Sequence, residues 1–314
     1  MNAAGIKLTV TAIEQPVPGI RSLRLRPTEG RALPPFVAGS HLTLDCGGKR
    51  NSYSLTNDGV DPLEYDVSVL HVRDGGGGSR WVHEQLSVGD VITALTPRSA
   101  FPPHPRAAKH LLIAGGIGVT PIVSHLRNAR RWNHQVQVLY SYREGLGAHV
   151  DDVLQLAGPD AELFVDQDEF CMRLEKVLGD QPVGAHLYVC GPAAMIDYVL
   201  DTAIASGWPS SRLHVERFGV GTLDAGEPFT VNLTKSGRTV DVPRGTSLLE
   251  ALEHAGVEVP NRCRQGVCGE CRIPVTGGIP THRDLFLDDD TKRRGDTMMC
   301  CVSRAAGPSL EVPL

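Results

Sequence analysis

The feature that most constrains this 314-residue chain is a cysteine run near its C-terminal end, Cys263-x4-Cys268-x2-Cys271, with an adjacent pair, Cys300-Cys301, further along. Three thiolates on one tight loop can wrap a small, flat inorganic core, and a fourth must arrive from elsewhere in the fold to close the second iron. This is the spacing of a plant-type [2Fe–2S] site. Gly266 and Gly269 stand beside the loop cysteines, where glycine lets backbone N–H groups approach the sulfurs and tune the potential. A structural zinc module, the alternative, would show short spacers in both halves. Neighbours in an extended segment point to opposite faces, so one of Cys300 and Cys301, not both, is expected to reach the cluster.

Cys46, Cys171 and Cys190 are scattered. Residues 1–11 lack the basic-then-apolar layout of a signal peptide, which favours metal binding over disulfide stapling for the clustered cysteines. No apolar stretch approaches the length needed to span a bilayer. The formal charge of −5, from 31 Lys+Arg and 36 Asp+Glu, leaves no nucleic-acid footprint. The expectation is a cytoplasmic protein that binds neither nucleic acid nor membrane.

The rest of the chain divides by rhythm. Over 1–105, short alternating runs (6–12, 20–25, 41–44, 65–72 and 91–95) between glycine and proline breaks predict an antiparallel β-barrel or sandwich. Over 106–218, strand patterns at 110–114, 135–140, 163–166, 186–190 and 213–218 alternate with helical patterns at 121–130, 151–157, 172–178 and 193–205. That order predicts an α/β domain with a parallel sheet, whose ligands bind beyond the carboxyl ends of the strands. Residues 219–227 read as a linker. In 228–314 a hairpin about Ser236-Gly237 and a capping box, Ser247 to Glu250, precede the cysteine loop, as in an α+β domain.

Two glycine turns suggest nucleotide sites. The glycine run 75–78 leads into Ser79-Arg80-Trp81, where Ser79 reads as an N-cap and the turn can present N–H groups to a phosphate. A plain hairpin loop is the alternative. Gly115-Gly116-Ile117-Gly118-Val119-Thr120-Pro121 follows an apolar strand and opens a helix, with Pro121 suited to the first turn. It is not the dinucleotide fingerprint, but its glycines permit close approach of a cofactor. Arg143 and Asp166 fall at the ends of the second and third strands of the sheet, where an adenosine ribose would lie.

Residues 262–304, with RQGVCGEC, THRDLFLDDD and MMCCVSRA, resemble the C-terminal ferredoxin of the phthalate dioxygenase reductase family, which includes vanillate demethylase reductases. In that family the ligand is the cysteine directly before Val-Ser-Arg. The resemblance therefore implies Cys263, Cys268, Cys271 and Cys301 as ligands, and Cys300 as a substitution for an apolar residue. It extends over essentially the whole chain. Arg50-Asn51-Ser52-Tyr53-Ser54 resembles the flavin signature Arg-x-Tyr-Ser, with Asn51 at the arginine position. Either Arg50 reaches in from one place earlier or Asn51 replaces the arginine. Tyr53 would lie against the flavin ring and Ser54 on its edge, while Gly78, Ser79 and Arg80 would take the terminal phosphate of FMN.

By the same resemblance, Gly116, Gly118, Thr120 and Pro121 form the nicotinamide turn, and Cys190-Gly191-Pro192 the second turn, with a thiol beside the hydride path. Glu216 and Phe218 belong to the segment that returns to the flavin, Phe218 covering the ring until nicotinamide displaces it. The implied protein is the NADH-dependent reductase of a multicomponent Rieske-type oxygenase. Electrons would pass from NADH to FMN, to the [2Fe–2S] cluster and to the terminal oxygenase component. Glu144 and Asp166 oppose a 2′-phosphate and favour NADH over NADPH. An FAD-dependent reductase serving another monooxygenase is the alternative among enzymes.

Overall fold

Alternation of apolar and polar residues from Ile6 onward produces the first sheet. A computed structural model describes residues 5–73, 77–99, 101–219, 223–261 and 264–314. Strands β1 (Ile6–Val17), β2 (Ile20–Pro27), β3 (Ser40–Cys46), β4 (Lys49–Ser54), β5 (Tyr65–Leu70), β6 (Val91–Ala94) and β7 (Arg98–Ser99) form one sheet in the order β4-β3-β6-β1-β2-β5, with β7 on β3. Every pairing in it is antiparallel. A bridge from Leu55 to Val67 joins the two outer strands, and Thr56 N donates to Asp66 O at 2.9 Å. The sheet therefore closes into a barrel, which removes its exposed edges. Leu8, Leu25, Leu42 and Leu44 fill the interior. Helix α1 (Gly78–Glu84) adds Val82 to that core.

The second sheet is parallel, in the order β10-β9-β8-β11-β12. Its strands are β8 (Lys109–Gly115), β9 (Val136–Ser141), β10 (Ala161–Phe164), β11 (Ala185–Cys190) and β12 (Leu213–Glu216). Helices α2 (Val119–Trp132), α3 (Val150–Ala157), α4 (Gln167–Gly179) and α5 (Ala193–Ala205) cover it. Along β8 the pleat sends Leu112 and Ala114 to the side of α2 and α3, and Leu111 and Ile113 to the side of α4 and α5. A strand covered on both faces reads as a continuous apolar run. Ile20 and Phe101 from the barrel pack into the α2–α3 layer. Arg127 ties the two parts polarly, donating to Thr56 O at 2.9 Å and to Asp152 Oδ1 at 2.7 Å. His149 spans Ser68 Oγ and Asp152 Oδ2 at 2.8 and 2.7 Å.

Barrel and parallel sheet make one unit, residues 1–217, and a second unit follows from Phe218 to Leu314. In the second, β13 (Phe229–Leu233) pairs antiparallel with β14 (Arg238–Val242) and parallel with a late strand, β19 (Ser309–Val312). Helix α6 (Leu248–His254) opens with the expected capping box of Ser247 and Glu250. Two small ladders, β15 (Arg272–Pro274) with β17 (Thr297–Met299) and β16 (Pro280–Thr281) with β18 (Arg304–Ala305), and helix α7 (Asp289–Arg294) complete it. The chain thus has the expected multidomain class: an antiparallel barrel, a parallel α/β sheet and an α+β C-terminal unit.

Three local expectations are corrected. Ser79 is not an N-cap: Gly77, at φ 93°, holds that position, and Ser79 lies inside α1. The Ser79 hydroxyl instead accepts from Val72 N at 3.2 Å, tying the helix to the end of β5. The strand read over 163–166 ends at Phe164, because Asp166 leaves the sheet to cap α4, its carboxylate accepting from Glu169 N. The strand read over 213–218 ends at Glu216.

Candidate functional site

At the carboxyl ends of the two central strands, β8 and β11, the glycine turns pack directly on each other. A Cβ on Gly118 would fall 2.3 Å from Cys190 O, and one on Gly191 would fall 3.0 Å from Gly115 Cα. Only glycine allows two backbones to meet this closely. Gly116 adopts φ 51° and opens a short 3-10 turn that runs into α2. Pro121 sits in the first turn of α2, and Thr120, 1% exposed, donates its hydroxyl to Ile117 O at 3.0 Å. Pro192 is the N-cap of α5. Cys190 is fully buried, and burial together with the Glu216 carboxylate pushes its thiol well up. Arg143 is exposed after β9, while Asp166 is held in its cap.

The barrel meets this end of the sheet through β4. Register pairs Asn51 with Leu44 and Tyr53 with Leu42, which puts both side chains on the interior face, whereas Arg50, Ser52 and Ser54 take the other. Asn51 abuts the start of α1, its Oδ1 only 2.3 Å from where a Gly78 Cβ would stand. Arg50 is exposed. Arg80 is exposed as well and donates to Arg73 O at 2.6 Å. Burial raises the Tyr53 phenol above its ordinary range, and the Cys46 thiol and Asn51 amide lie beside it. Ser54 stands next to Glu216, the last residue of β12. Burial pushes the Glu216 carboxyl up to about 8, the Ser54 hydroxyl opposing it weakly. Tyr53 Oη, Ser54 Oγ and Glu216 Oε2 are shielded from solvent with no well-formed hydrogen bond among the described residues. Buried polar atoms seldom stay unpaired, and a flavin ring edge offers the partners that Ser54 and Glu216 lack.

In the second unit, Cys263 lies outside the described residues, as does Arg262. The loop that follows turns on Gly266 and Gly269, at φ 72° and 77°. Cys268 is half-buried, and Cys271, Cys300 and Cys301 are buried. Cys300 and Cys301 lie not in an extended segment but in a turn after β17, in which Ser303 N donates to Met299 O at 3.0 Å. Both therefore face the same neighbour, Cys271. Their hydrogen bonds pull its thiol down, and the fully buried Cys300 is held protonated in return. Among the described residues no three His, Cys, Asp or Glu side chains gather at a metal-sized point. The donor set is nonetheless chemically right for iron–sulfur, with soft thiols on a glycine loop and a second pair arriving from β17.

Residues 231–306 match the model of the 2Fe-2S iron-sulfur cluster binding domain, and residues 91–213 that of the dimethylamine monooxygenase subunit DmmA-like N-terminal domain. The chain is 35% identical to phthalate dioxygenase reductase of Burkholderia cepacia, over 98% of its own length and 97% of the relative's. The chain belongs to the phthalate dioxygenase reductase family. A solved phthalate dioxygenase reductase, described as a modular structure for electron transfer from pyridine nucleotides to [2Fe–2S], superposes with a TM-score of 0.90 at 34% identity, covering 99% of this chain and 98% of that one. The heme-dependent oxidative N-demethylase beta subunit of Ectopseudomonas mendocina is 38% identical over 98% of this chain and 99% of its own. Like its family, the chain is an oxidoreductase with a [2Fe–2S] domain. No helix among the described residues is long and apolar enough to cross a membrane.

One cluster of titratable groups escaped the sequence reading. His104, His110, His186 and His214 meet around Tyr188 near the amino end of the parallel sheet, away from the glycine turns. His104 stacks on His186 at 4.2 Å between ring centroids, and Tyr188 on His214 at 4.4 Å. His186 Nδ1 and His214 Nε2 are hydrogen-bonded at 2.8 Å. His125 reaches the same tyrosine and bonds Phe101 O at 2.8 Å. These histidines come from separate strands, a helix and a proline-rich connection, so no spacing along the chain announces them.

Proposed function

We propose that the chain is the NADH-dependent reductase component of a multicomponent oxygenase, using FMN and its [2Fe–2S] centre to pass electrons one at a time to the terminal oxygenase component. The supporting observation is the end-to-end match to a reductase built for electron transfer from pyridine nucleotides to [2Fe–2S]. When bound, the flavin accepts a hydride as an electron pair and releases single electrons to the cluster, which is the chemistry the protein has to position. For that, Tyr53 and Ser54 of the barrel would hold the flavin, with Gly78, Ser79 and Arg80 toward its phosphate and Asn51 in place of the usual arginine. Gly116, Gly118, Thr120, Pro121, Gly191 and Pro192 would hold the nicotinamide half, and Arg143 and Asp166 the adenosine ribose. Glu216 keeps a proton at neutral pH beside Ser54, and Cys190 lines the turn as a neutral thiol. Phe218, 40% exposed at the start of the second unit, would shield the flavin. Cys263, Cys268, Cys271 and Cys301 would ligate the cluster. A cytoplasmic location fits the use of NADH.

The acceptor has a second reading. The 38% identical relative and the family model over 91–213 are both named for amine oxidation, the former by a heme-dependent enzyme. This favours a heme-type N-demethylating partner over a Rieske-type one. An anaerobic titration with NADH, followed by electron paramagnetic resonance, tests the electron path. Appearance of a reduced [2Fe–2S] signal at stoichiometric NADH is expected, and a silent sample would refute it. Mass spectrometry of the released flavin distinguishes FMN from FAD, and steady-state efficiency with ferricyanide distinguishes NADH from NADPH.

A further inference from the structure

In the second unit, the chain between β16 and α7 makes a rigid knuckle over the cysteine loop. Asp284, 3% exposed, organises it. Its Oδ2 accepts from Leu287 N at 2.8 Å and Phe286 N at 3.2 Å, its Oδ1 from Ser303 Oγ at 3.3 Å, and its carbonyl from Lys292 Nζ at 2.9 Å. Leu285 N donates to Gly266 O at 2.9 Å, pinning the knuckle to the loop. The Phe286 ring lies on Gly269, between Cys268 and Cys271, so closely that a Cβ there would be 2.3 Å from its Cζ.

The buried carboxylate thus fixes a turn that displays two large apolar side chains outward. Leu285 is 45% exposed and Phe286 47%. Single exposed apolar residues are ordinary. Here two neighbours are held rigidly on the loop that carries the cysteines, and an aromatic anchor of this kind is typical of interface centres. The cations beside them are engaged: Lys292 is tied to the Asp284 carbonyl and Arg294 faces Asp296. Arg264 pairs with Glu253, Arg283 with Asp224 and Arg293 with Asp290. Asp288 and Asp289 are exposed just past the knuckle, and Asp289 makes no ion pair among the described residues.

We infer that Leu285 and Phe286, with the carboxylates of Asp288 and Asp289 at their rim, are the docking surface for the protein that takes electrons from the cluster, and that this partner presents an apolar recess ringed by basic side chains. The inference rests on the electron path proposed above. A docking contact on the cysteine loop brings the acceptor to the electron's exit, and acidic rim groups steer a basic partner toward it.

The test uses the cofactor-loaded full chain with mitochondrial cytochrome c, a basic one-electron acceptor, at saturating NADH. Ferricyanide, which needs no docking surface, is the control. Phe286→Ala and Leu285→Asn are expected to raise the KM for cytochrome c by about tenfold, the scale of a modest interface hot spot. Asp289→Lys should raise it too and flatten its salt dependence. Ferricyanide turnover, the cluster's paramagnetic signal and the rate of cluster reduction by NADH should not change. An unchanged KM in all three variants overturns the proposal. So does slower cluster reduction by NADH, which would assign the knuckle to electron entry. Should loss of the Phe286 ring loosen the cluster, Leu285→Asn and Asp289→Lys decide. An unaltered chain whose cluster NADH cannot reduce would refute the electron path itself, and this surface with it.

Discussion

Glu216 shows how much one buried carboxyl can report. Its folded-state pKa, near 8, is raised by burial, so the folded chain holds a proton that the unfolded chain releases near the ordinary value. The stability that this proton contributes is complete below about pH 4.3 and is lost as pH rises toward 8. Glu216→Gln, which cannot ionise, should leave the apoprotein's stability nearly unchanged near pH 4.5 and raise it by on the order of 4 kcal/mol near pH 8. Denaturant melts of both forms across that range would show it. Parallel curves would mean that the carboxylate is solvated in the apoprotein. The cysteine pair makes a sharper test. Cys301→Ser should lose iron and sulfide, whereas Cys300→Ser should keep both, because Cys301 is the cysteine directly before Val-Ser-Arg, the position that the family resemblance gives to the fourth ligand. Iron and sulfide analysis decides, and loss in the Cys300 variant alone would move the fourth ligand by one residue.

At the scale of elements, the meeting of the β8 and β11 turns leaves no room for a side chain. A methyl at Gly118 would collide with backbone, Cys190 O at 2.3 Å, which has no soft way to yield. Gly118→Ala should therefore cost about 1–3 kcal/mol, as overpacking usually does, and raise the KM for NADH at least about tenfold if the turn holds nicotinamide. The histidine array has a different vulnerability. Burial drives His186 down to about 4 and His125 to about 3, with His110 and His214 lowered as well. The unfolded chain takes up protons below about pH 6.5 while the folded array refuses them, so the stability present above pH 6.5 drains away as pH falls toward 4. His186→Phe, which keeps a stacked ring without the titration, should make the fall in melting temperature shallower by on the order of a few °C. An unchanged slope would locate the acid sensitivity elsewhere.

The strands and helices were largely legible because each has a period that survives in one dimension: alternation in the barrel, continuous apolar runs in β8 and β11, and the capping box at Ser247. The cysteine loop was legible because its cysteines are neighbours in sequence. Ser79 was misread because a serine after glycines looks like a cap, yet Gly77 alone can take φ 93°. The turn at Cys300 and Cys301 was misread because apolar neighbours there suggested a straight strand. The histidine array and the approach of Ser54 to Glu216 were invisible, since each is assembled across elements by the closure of the fold.

At the scale of the molecule, the first unit holds both candidate nucleotide sites within one set of packed cores. A chain ending after Arg217 should therefore bind flavin and reduce ferricyanide with NADH at a rate within about threefold of the full chain, as expected of a domain with its own core, but should not reduce cytochrome c. Flavin content and the two assays together check this, and a piece without flavin would mean that the second unit completes the first.

The second unit has a constraint of its own. Its central strand, β13, lies between β14 and β19, and Thr230 bonds Pro308 across a separation of 78 residues. During synthesis, β13 emerges from the ribosome long before the strand that completes it. Until β19 follows, the cysteine loop stands on an unfinished sheet, open to oxidants but equally open to the machinery that loads iron and sulfide. The order of strands in this unit thus sets a window for cluster insertion, and a ribosome stalled before Ser309 would leave a working first unit trailing an unmetallated tail.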